Sequence, residues 1–301
     1  MIKPSSLGDI IHGLQVAESI RLQLDGAQID WVARDIFAPM VEACDTVSRV
    51  LPFYRGGGFG AFGQLIADIR DVDYDWVLDM QGLARSGVMA ACSKTPRKHR
   101  IGRSDAREGS ALACGVKAKL PPGDAPHAVD ILREFMSVMG LENQLLGALT
   151  FSDPHHALPE LPNGYYLLFP GSRRAEKEWP GFLELTELLL GDGETVVWGG
   201  DVSAEGNAHW PSDRFFNLTA QTALDVLPMM IASAKVTVCN DSGPMHLAAA
   251  MGRPVIGIFG PTPPERYGPY PLSAPSNRVV RAPEGELSLL RSDTVLAEIQ
   301  S

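Results

Sequence analysis

The chain has 301 residues, 45% of them hydrophobic and 21% charged, with no low-complexity tract, which excludes a fibre or a disordered tail protein and leaves two domains or one large α/β domain. Lys and Arg number 26 against 36 Asp and Glu, a formal charge of −10, so general binding to nucleic acid is excluded and any phosphate must be held locally. Cys44, Cys92, Cys114 and Cys239 form no C-x-x-C pair, so no zinc site or disulfide framework is indicated; a reducing cytoplasm fits, and the sequence shows neither a signal peptide nor a membrane-spanning run.

In chain order, Met1-Ile-Lys3 is too short for a full first strand before the turn at Pro4, so either the strand is a stub or the start is late. A helix follows, with Ile10, Leu14 and Ala17 on one stripe. Runs rich in β-branched and aromatic residues at 28–34, 47–53 and 76–80, and again at 165–170, 195–200, 236–240 and 254–260, read as buried strands. Leu224, Leu227 and Ile231 mark a later helix, and 287–299 has helical spacing. Alternating strands and helices predict parallel sheets covered on both faces. The segment 153–164 packs three prolines and a glycine into twelve residues. We place the domain boundary there: 1–153 and 154–301, each a Rossmann-like α/β unit, with the ligand site in the cleft between them. The C-terminal helix is expected to pack back on the first domain.

Three turns can carry chemistry. Lys3-Pro-Ser-Ser-Leu-Gly-Asp9-Ile-Ile-His12 puts an acid at the opening of a helix, on the edge where open α/β folds bind ligands, and Asp9 there can take a proton from a substrate hydroxyl. The competing reading is that Ser5 or Ser6 caps the helix and Asp9 only complements its dipole. Asn240-Asp-Ser-Gly-Pro-Met-His246 follows a strand and opens a helix at Pro244. Its free N–H groups, the Ser242 hydroxyl and the Cβ-less Gly243 suit a diphosphate. Asp241 would repel phosphate and is assigned to sugar hydroxyls or to the turn itself, while His246 either steadies the leaving diphosphate or is a satisfied polar residue. Gly171-Ser172-Arg173-Arg174-Ala-Glu-Lys177 offers three cations within five positions for charge on a departing phosphate, against the reading of a solvated loop.

Two further features compete with these. Gly58-Phe-Gly60-Ala-Phe-Gly63, with Asp79 further on, matches a dinucleotide fingerprint, although Phe59 and Phe62 are unusual in a phosphate cradle. The alternative is a flexible glycine loop lining the cleft. Lys94, Arg97, Lys98, Arg100, Arg103 and Arg107 stand against the single acid Asp105. They suit an anionic substrate or phospholipid headgroups, or else form a solvated helix face and loop.

With these residues in view, the chain resembles the bacterial lipopolysaccharide heptosyltransferases, the ADP-heptose-using branch of glycosyltransferase family 9. The anchors are residues 3–12, Leu78-Asp-Met-Gln-Gly-Leu83, His127-Ala-Val-Asp130, Pro170-Gly-Ser-Arg173 with Lys177-Glu-Trp-Pro180, and 240–249, in the family's order. The stretches at 3–6 and 79–82 look closest to the type I branch, which acts on the inner sugar acid of lipid A. Departures are the missing first-strand residues, which could impair folding or activity, and Met80, where leucine is expected.

The resemblance implies a GT-B architecture, with the acceptor on the first domain and the nucleotide sugar on the second. It implies Asp9 as general base and Lys177 as donor-phosphate ligand. Ser172, Arg173, Glu205, Thr222, Asp241, Ser242, Gly243 and His246 fall on the donor side, and Ser6, His12, Arg55 and Arg107 on the acceptor side. The expected reaction is inverting transfer of heptose from ADP-heptose to a Kdo-lipid A type acceptor, by a cytoplasmic protein that can make peripheral contact with the inner face of the inner membrane. No D-x-D pair lies near these turns, so neither a metal nor any cofactor beyond the ADP-sugar substrate is expected. The alternatives are transfer from another sugar nucleotide, an NAD-dependent oxidoreductase using Gly58, Gly60, Gly63 and Asp79, and a sugar-nucleotide-binding module without catalysis.

Overall fold

Short buried strands and the helices between them build two parallel-sheet units in the computed structural model of the chain, Met1–Ser152 and Asp153–Ser301. The structure describes residues 1–123, 125–157, 160–172, 174–207 and 209–301. The first unit contains β1 (Asp30–Arg34), β2 (Arg49–Phe53), β3 (Val77–Asp79), β4 (Arg100–Arg103) and β5 (Val116–Ala118). Its helices are α1 (Leu7–Gln23), α2 (Ala38–Glu42), α3 (Gly58–Arg70), α4 (Ala84–Cys92) and α5 (Ala128–Val138).

The N-terminal stub joins what would otherwise be two pieces. Ile2 bridges in parallel to Val32 on one side and Asp79 on the other. Its N–H donates to the Leu78 carbonyl (2.8 Å), its carbonyl accepts from Met80 N–H (3.1 Å), and the Met1 carbonyl accepts from Val32 N–H (2.9 Å). The order is therefore β2-β1-Ile2-β3-β4-β5, all parallel. Counting the stub as the first strand makes this the doubly wound order. Ile2, Val32, Leu51, Leu65, Ile69, Val77 and Met89 share one core. On α1 the apolar stripe Ile10, Leu14, Ala17 is fully buried. At Gly13 a Cβ would stand 2.8 Å from the buried Trp31 ring, so only glycine lets α1 lie this close.

The second unit contains β6 (Tyr165–Phe169), β7 (Val196–Trp198), β8 (Phe215–Asn217), β9 (Ala234–Asn240), β10 (Val255–Phe259) and β11 (Asn277–Arg281). Its helices are α6 (Phe182–Gly191), α7 (Leu227–Ser233), α8 (Gly243–Ala250), α9 (Pro264–Tyr267) and α10 (Ser292–Gln300). The parallel order β11-β10-β9-β6-β7-β8 again follows the doubly wound pattern when read from β6. The segment after Asp153 is tied to this unit: His155 and His156 N–H groups donate to the buried Asp225 carboxylate, which His156 Nδ1 also approaches at 2.9 Å.

The C-terminal helix packs on α6 and β11 of its own unit, where Val295 and Ile299 join a core with Phe182, Leu185 and Trp198. Two expectations are corrected, the number of strands and the glycine segment. Strands β4, β5, β8 and β11 lie where no strand is read from the sequence, because their runs are short or carry charge. The glycine segment 58–63 is neither loop nor cradle but the first turns of α3.

Because Ile2 pairs on both sides, its side chain belongs to the middle of the first core. Ile2→Ala is expected to destabilise that unit by about 2–4 kcal/mol, read as a lower denaturant midpoint with little change in the unfolding of the second unit.

Candidate active site

In a doubly wound sheet the first and fourth strands in sequence lie side by side, and the turns leaving their carboxyl ends diverge to opposite faces, opening a crevice. In the first unit those turns are Lys3–Ser6 and Met80–Leu83; in the second they are Pro170–Lys177 and Asp241–Ser242. The three turns singled out in the sequence all leave such positions.

In the first unit, Ser6 is the N-cap of α1 and Asp9 its third residue. Asp9 Oδ2 accepts from both Ser6 N–H (3.1 Å) and Ser6 Oγ (2.7 Å), and Oδ1 faces Lys3 Nζ at 3.5 Å. The capping reading is thus realised, and the capped carboxylate remains 43% exposed at the crevice. Burial alone would raise the Asp9 carboxyl, but the Lys3 ammonium and then the Ser6 hydrogen bonds outweigh it and hold Asp9 below the ordinary carboxylate value. His12, one turn along α1, is buried with its ring 5.6 Å from that of His127.

Beside this turn lies a cavity of about 400 Å³ lined by Pro4, Ser5, Arg34, Arg55, Gln81 and Arg85, among others. Arg34 Nε and Gln81 Oε1 are buried there without a hydrogen-bond partner among the described residues. Arg55 lines this cavity; Arg107 is exposed and its backbone N–H donates to the Gly82 carbonyl (2.9 Å), which places it next to Glu108 on the cavity wall. Arg34 and Arg85 carry no sequence signal of their own as isolated polar residues, and Gln81 is marked only as part of the 78–83 stretch.

In the second unit Lys177 Nζ pairs with Asp241 Oδ2 at 2.5 Å, and the same oxygen accepts from Thr262 Oγ1 (2.8 Å). Asp241 therefore holds the cation in place. Fully buried Asn240 ties the two turns together: its Nδ2 donates to the Pro170 carbonyl (3.0 Å) and its Oδ1 accepts from Trp179 N–H (3.0 Å). Ser172 N–H donates to Glu178 Oε1 (2.8 Å), shaping the 170–178 turn, and Arg173 lies outside the described residues. At the opening of α8, Ser242 is the N-cap, Gly243 and Pro244 begin the helix, and Ser242 Oγ is buried with no hydrogen-bond partner among the described residues. His246 is buried one turn further on. Glu205 is exposed on the segment after β7, and Thr222, after β8, donates its hydroxyl to the Leu218 carbonyl (2.8 Å). Asn240 and Thr262 were missed as contributors because the sequence does not show which turns adjoin.

Comparison with known proteins decides the family. The model of glycosyltransferase family 9 (heptosyltransferase) matches residues 62–294. The chain belongs to glycosyltransferase family 9. It is 29% identical to lipopolysaccharide heptosyltransferase 1 of Escherichia coli, over 100% of this chain and 98% of that protein. With lipopolysaccharide heptosyltransferase 2 of E. coli the identity is 34%, over 100% and 92%. The E. coli heptosyltransferase WaaC solved with ADP superposes with a TM-score of 0.81 at 26% identity, covering 99% of this chain and 98% of that one. The same enzyme with ADP-2-deoxy-2-fluoro heptose gives 0.77 at 25% identity, covering 99% and 98%. The fold is α/β, two Rossmann-like units of the GT-B class.

The oxidoreductase alternative is not favoured. Gly58, Gly60 and Gly63 lie within α3 itself, not in a turn between a strand and a helix, which is where the fingerprint needs them. Asp79 is fully buried and accepts from Gln81 N–H, Gly82 N–H and Ser110 Oγ, which leaves it out of reach of a ribose. Gly63→Ala is expected to stabilise α3 by about 0.5–1 kcal/mol, raising the unfolding midpoint without altering nucleotide binding.

Proposed function

We propose that this family 9 protein is an inverting glycosyltransferase that moves heptose from ADP-heptose to the inner core of lipopolysaccharide, on a Kdo-lipid A type acceptor. The observation that carries this reading is a carboxylate held ionised at one switch-point crevice, Asp9, together with a fixed cation at the other, Lys177. The first unit takes the acceptor and the second the donor.

Asp9 accepts the proton of an acceptor hydroxyl as that oxygen forms its bond to the anomeric carbon, on the face opposite the nucleotide. The bond from that carbon to the diphosphate oxygen breaks, and ADP departs with the electron pair. Lys177, the Ser242 hydroxyl and the N–H groups opening α8 take up the developing charge. His246 lies one turn behind them, and Ser172, Glu205 and Thr222 are assigned to the donor side. One displacement inverts the anomeric configuration. With Lys177 and the helix amides supplying the positive field, the reaction needs no divalent metal and no cofactor.

An anionic acceptor is supported by the cavity beside the Pro4–Ser5 turn, which gathers Arg34, Arg55 and Arg85 against the single acid Glu108; Ser6 and Arg107 adjoin its lining residues in sequence, while His12 is buried within α1. The basic stretch divides by role. Arg100 donates to the Ser93 and Thr95 carbonyls and Arg103 grips Asp105, whereas Lys94, Arg97 and Lys98 are exposed. Arg97 reaches the carbonyl of Leu112, itself 77% exposed. Cations beside an exposed apolar residue suit the headgroup layer of a membrane carrying a lipid-linked acceptor, and we place the protein at the inner face of the inner membrane on that basis. No helix among the described residues is long and apolar enough to cross a membrane.

Asp9→Ala is expected to lower transfer by about 10²–10⁴-fold, the usual worth of a general base, while ADP raises the melting temperature of the variant as much as that of the parent. Full activity in the variant removes Asp9 as the base. A melting-temperature rise with UDP- or GDP-sugars but none with ADP-heptose would reassign the donor.

A further inference from the structure

We propose that Lys3 is a positioning residue of the transfer reaction: its buried ammonium, behind Asp9, keeps the base charged and leaves Oδ1 as the oxygen that receives the acceptor proton. This inference rests on the assignment of Asp9 as general base.

Lys3 stands where an apolar residue would pack at lower cost. Lys3 is 3% exposed, next to Ile2 on the stub strand, and a buried ammonium is costly unless paired. Its carbonyl accepts from the Trp31 indole (3.2 Å), which fixes the backbone and leaves the side chain to leave the strand toward α1. The charged groups in range are Asp9 from α1, Asp79 from β3 and Arg103 from β4. Asp79 is already satisfied by two N–H groups and Ser110 Oγ, and burial pushes its carboxyl up. Arg103 is held by both oxygens of Asp105. That leaves Asp9 as the ion-pair partner of Lys3, at 3.5 Å.

The two oxygens of Asp9 then differ. Oδ2 already accepts twice from Ser6, whereas among the described residues Oδ1 faces only the lysine. Lysine lies behind and the carboxylate in front, since Asp9 is 43% exposed. Before transfer the pair is neutral as a unit. When the acceptor proton reaches Oδ1 the ammonium loses its counter-charge, which favours release of that proton to solvent and resets the base. The same field makes Asp9 a weaker base than an unpaired carboxylate, so the lysine trades basicity for a base that is charged at every working pH.

This trade gives a test that a purely structural lysine would fail. The pH dependence of kcat/KM is measured with ADP-heptose and a Kdo-lipid A type acceptor for the full chain, Lys3→Met and Lys3→Arg. Lys3→Met is expected to move the acid limb upward by about one pH unit or more, with the plateau above it recovering to within a few fold of the parent, and Lys3→Arg to keep the limb in place. A loss by one constant factor at all pH values, with the limb unmoved, overturns the proposal. A second measurement needs neither variant nor turnover: in the parent protein labelled with ¹³C-aspartate, the Asp9 carboxyl is expected to reach half-protonation below 3.8, its ordinary value. Half-protonation at or above that value overturns the proposal even if the variants do not fold. Absence of transfer by the parent protein, with the low carboxyl value retained, would instead count against the assigned reaction.

Discussion

The first unit depends on one residue with two neighbours. Ile2 is hydrogen-bonded between β1 and β3, and without it the pairs β1-β2 and β3-β4-β5 would be separate sheets. Its backbone contacts also set where Lys3 leaves the strand, where Ser6 caps α1 and so where the Asp9 carboxylate stands. The proposed chemistry inherits its geometry from strand pairing rather than from a loop free to choose its conformation, which is how a parallel sheet holds reactive groups with little reorganisation.

The second unit repeats this logic with a different linking device. Asn240, buried at the end of β9, holds the turn after β6 through Pro170 and Trp179, and Asp241 next to it holds Lys177. Asp241 thereby has a task despite its repulsion of phosphate: it fixes the cation and offsets part of the local positive charge, while Thr262 steadies it from the turn after β10. The unpartnered Ser242 hydroxyl at the opening of α8 is the polar group that this arrangement leaves for a ligand.

What could be read from sequence follows the burial of each element. The strands at 30–34, 77–79, 165–169, 234–240 and 255–259 sit inside their sheets or carry uninterrupted apolar runs, and those runs are visible without a structure. Strands β5, β8 and β11 are sheet edges, where one side needs no apolar partner, and β4 hides behind arginines whose charge is spent on nearby carbonyls and on Asp105. Asp9, Lys177 and the 241–246 turn were legible because strand, small residues and helix opening occur in succession. Arg34 and Arg85 were not, since they meet Gln81 only when β1, β3 and α4 assemble around the cavity. The 58–63 glycines match a fingerprint in letters alone; they lie within α3 itself, where the fingerprint needs a turn between a strand and a helix.

The central claim is that Asp9 activates an acceptor hydroxyl for a single displacement at the sugar of an ADP-linked donor. The most direct measurement is the anomeric configuration of the sugar in the product, determined by NMR coupling constants against that of the donor. The account predicts inversion; a product that retains the donor's configuration would require a second displacement or a nucleophile on the protein, and would contradict it.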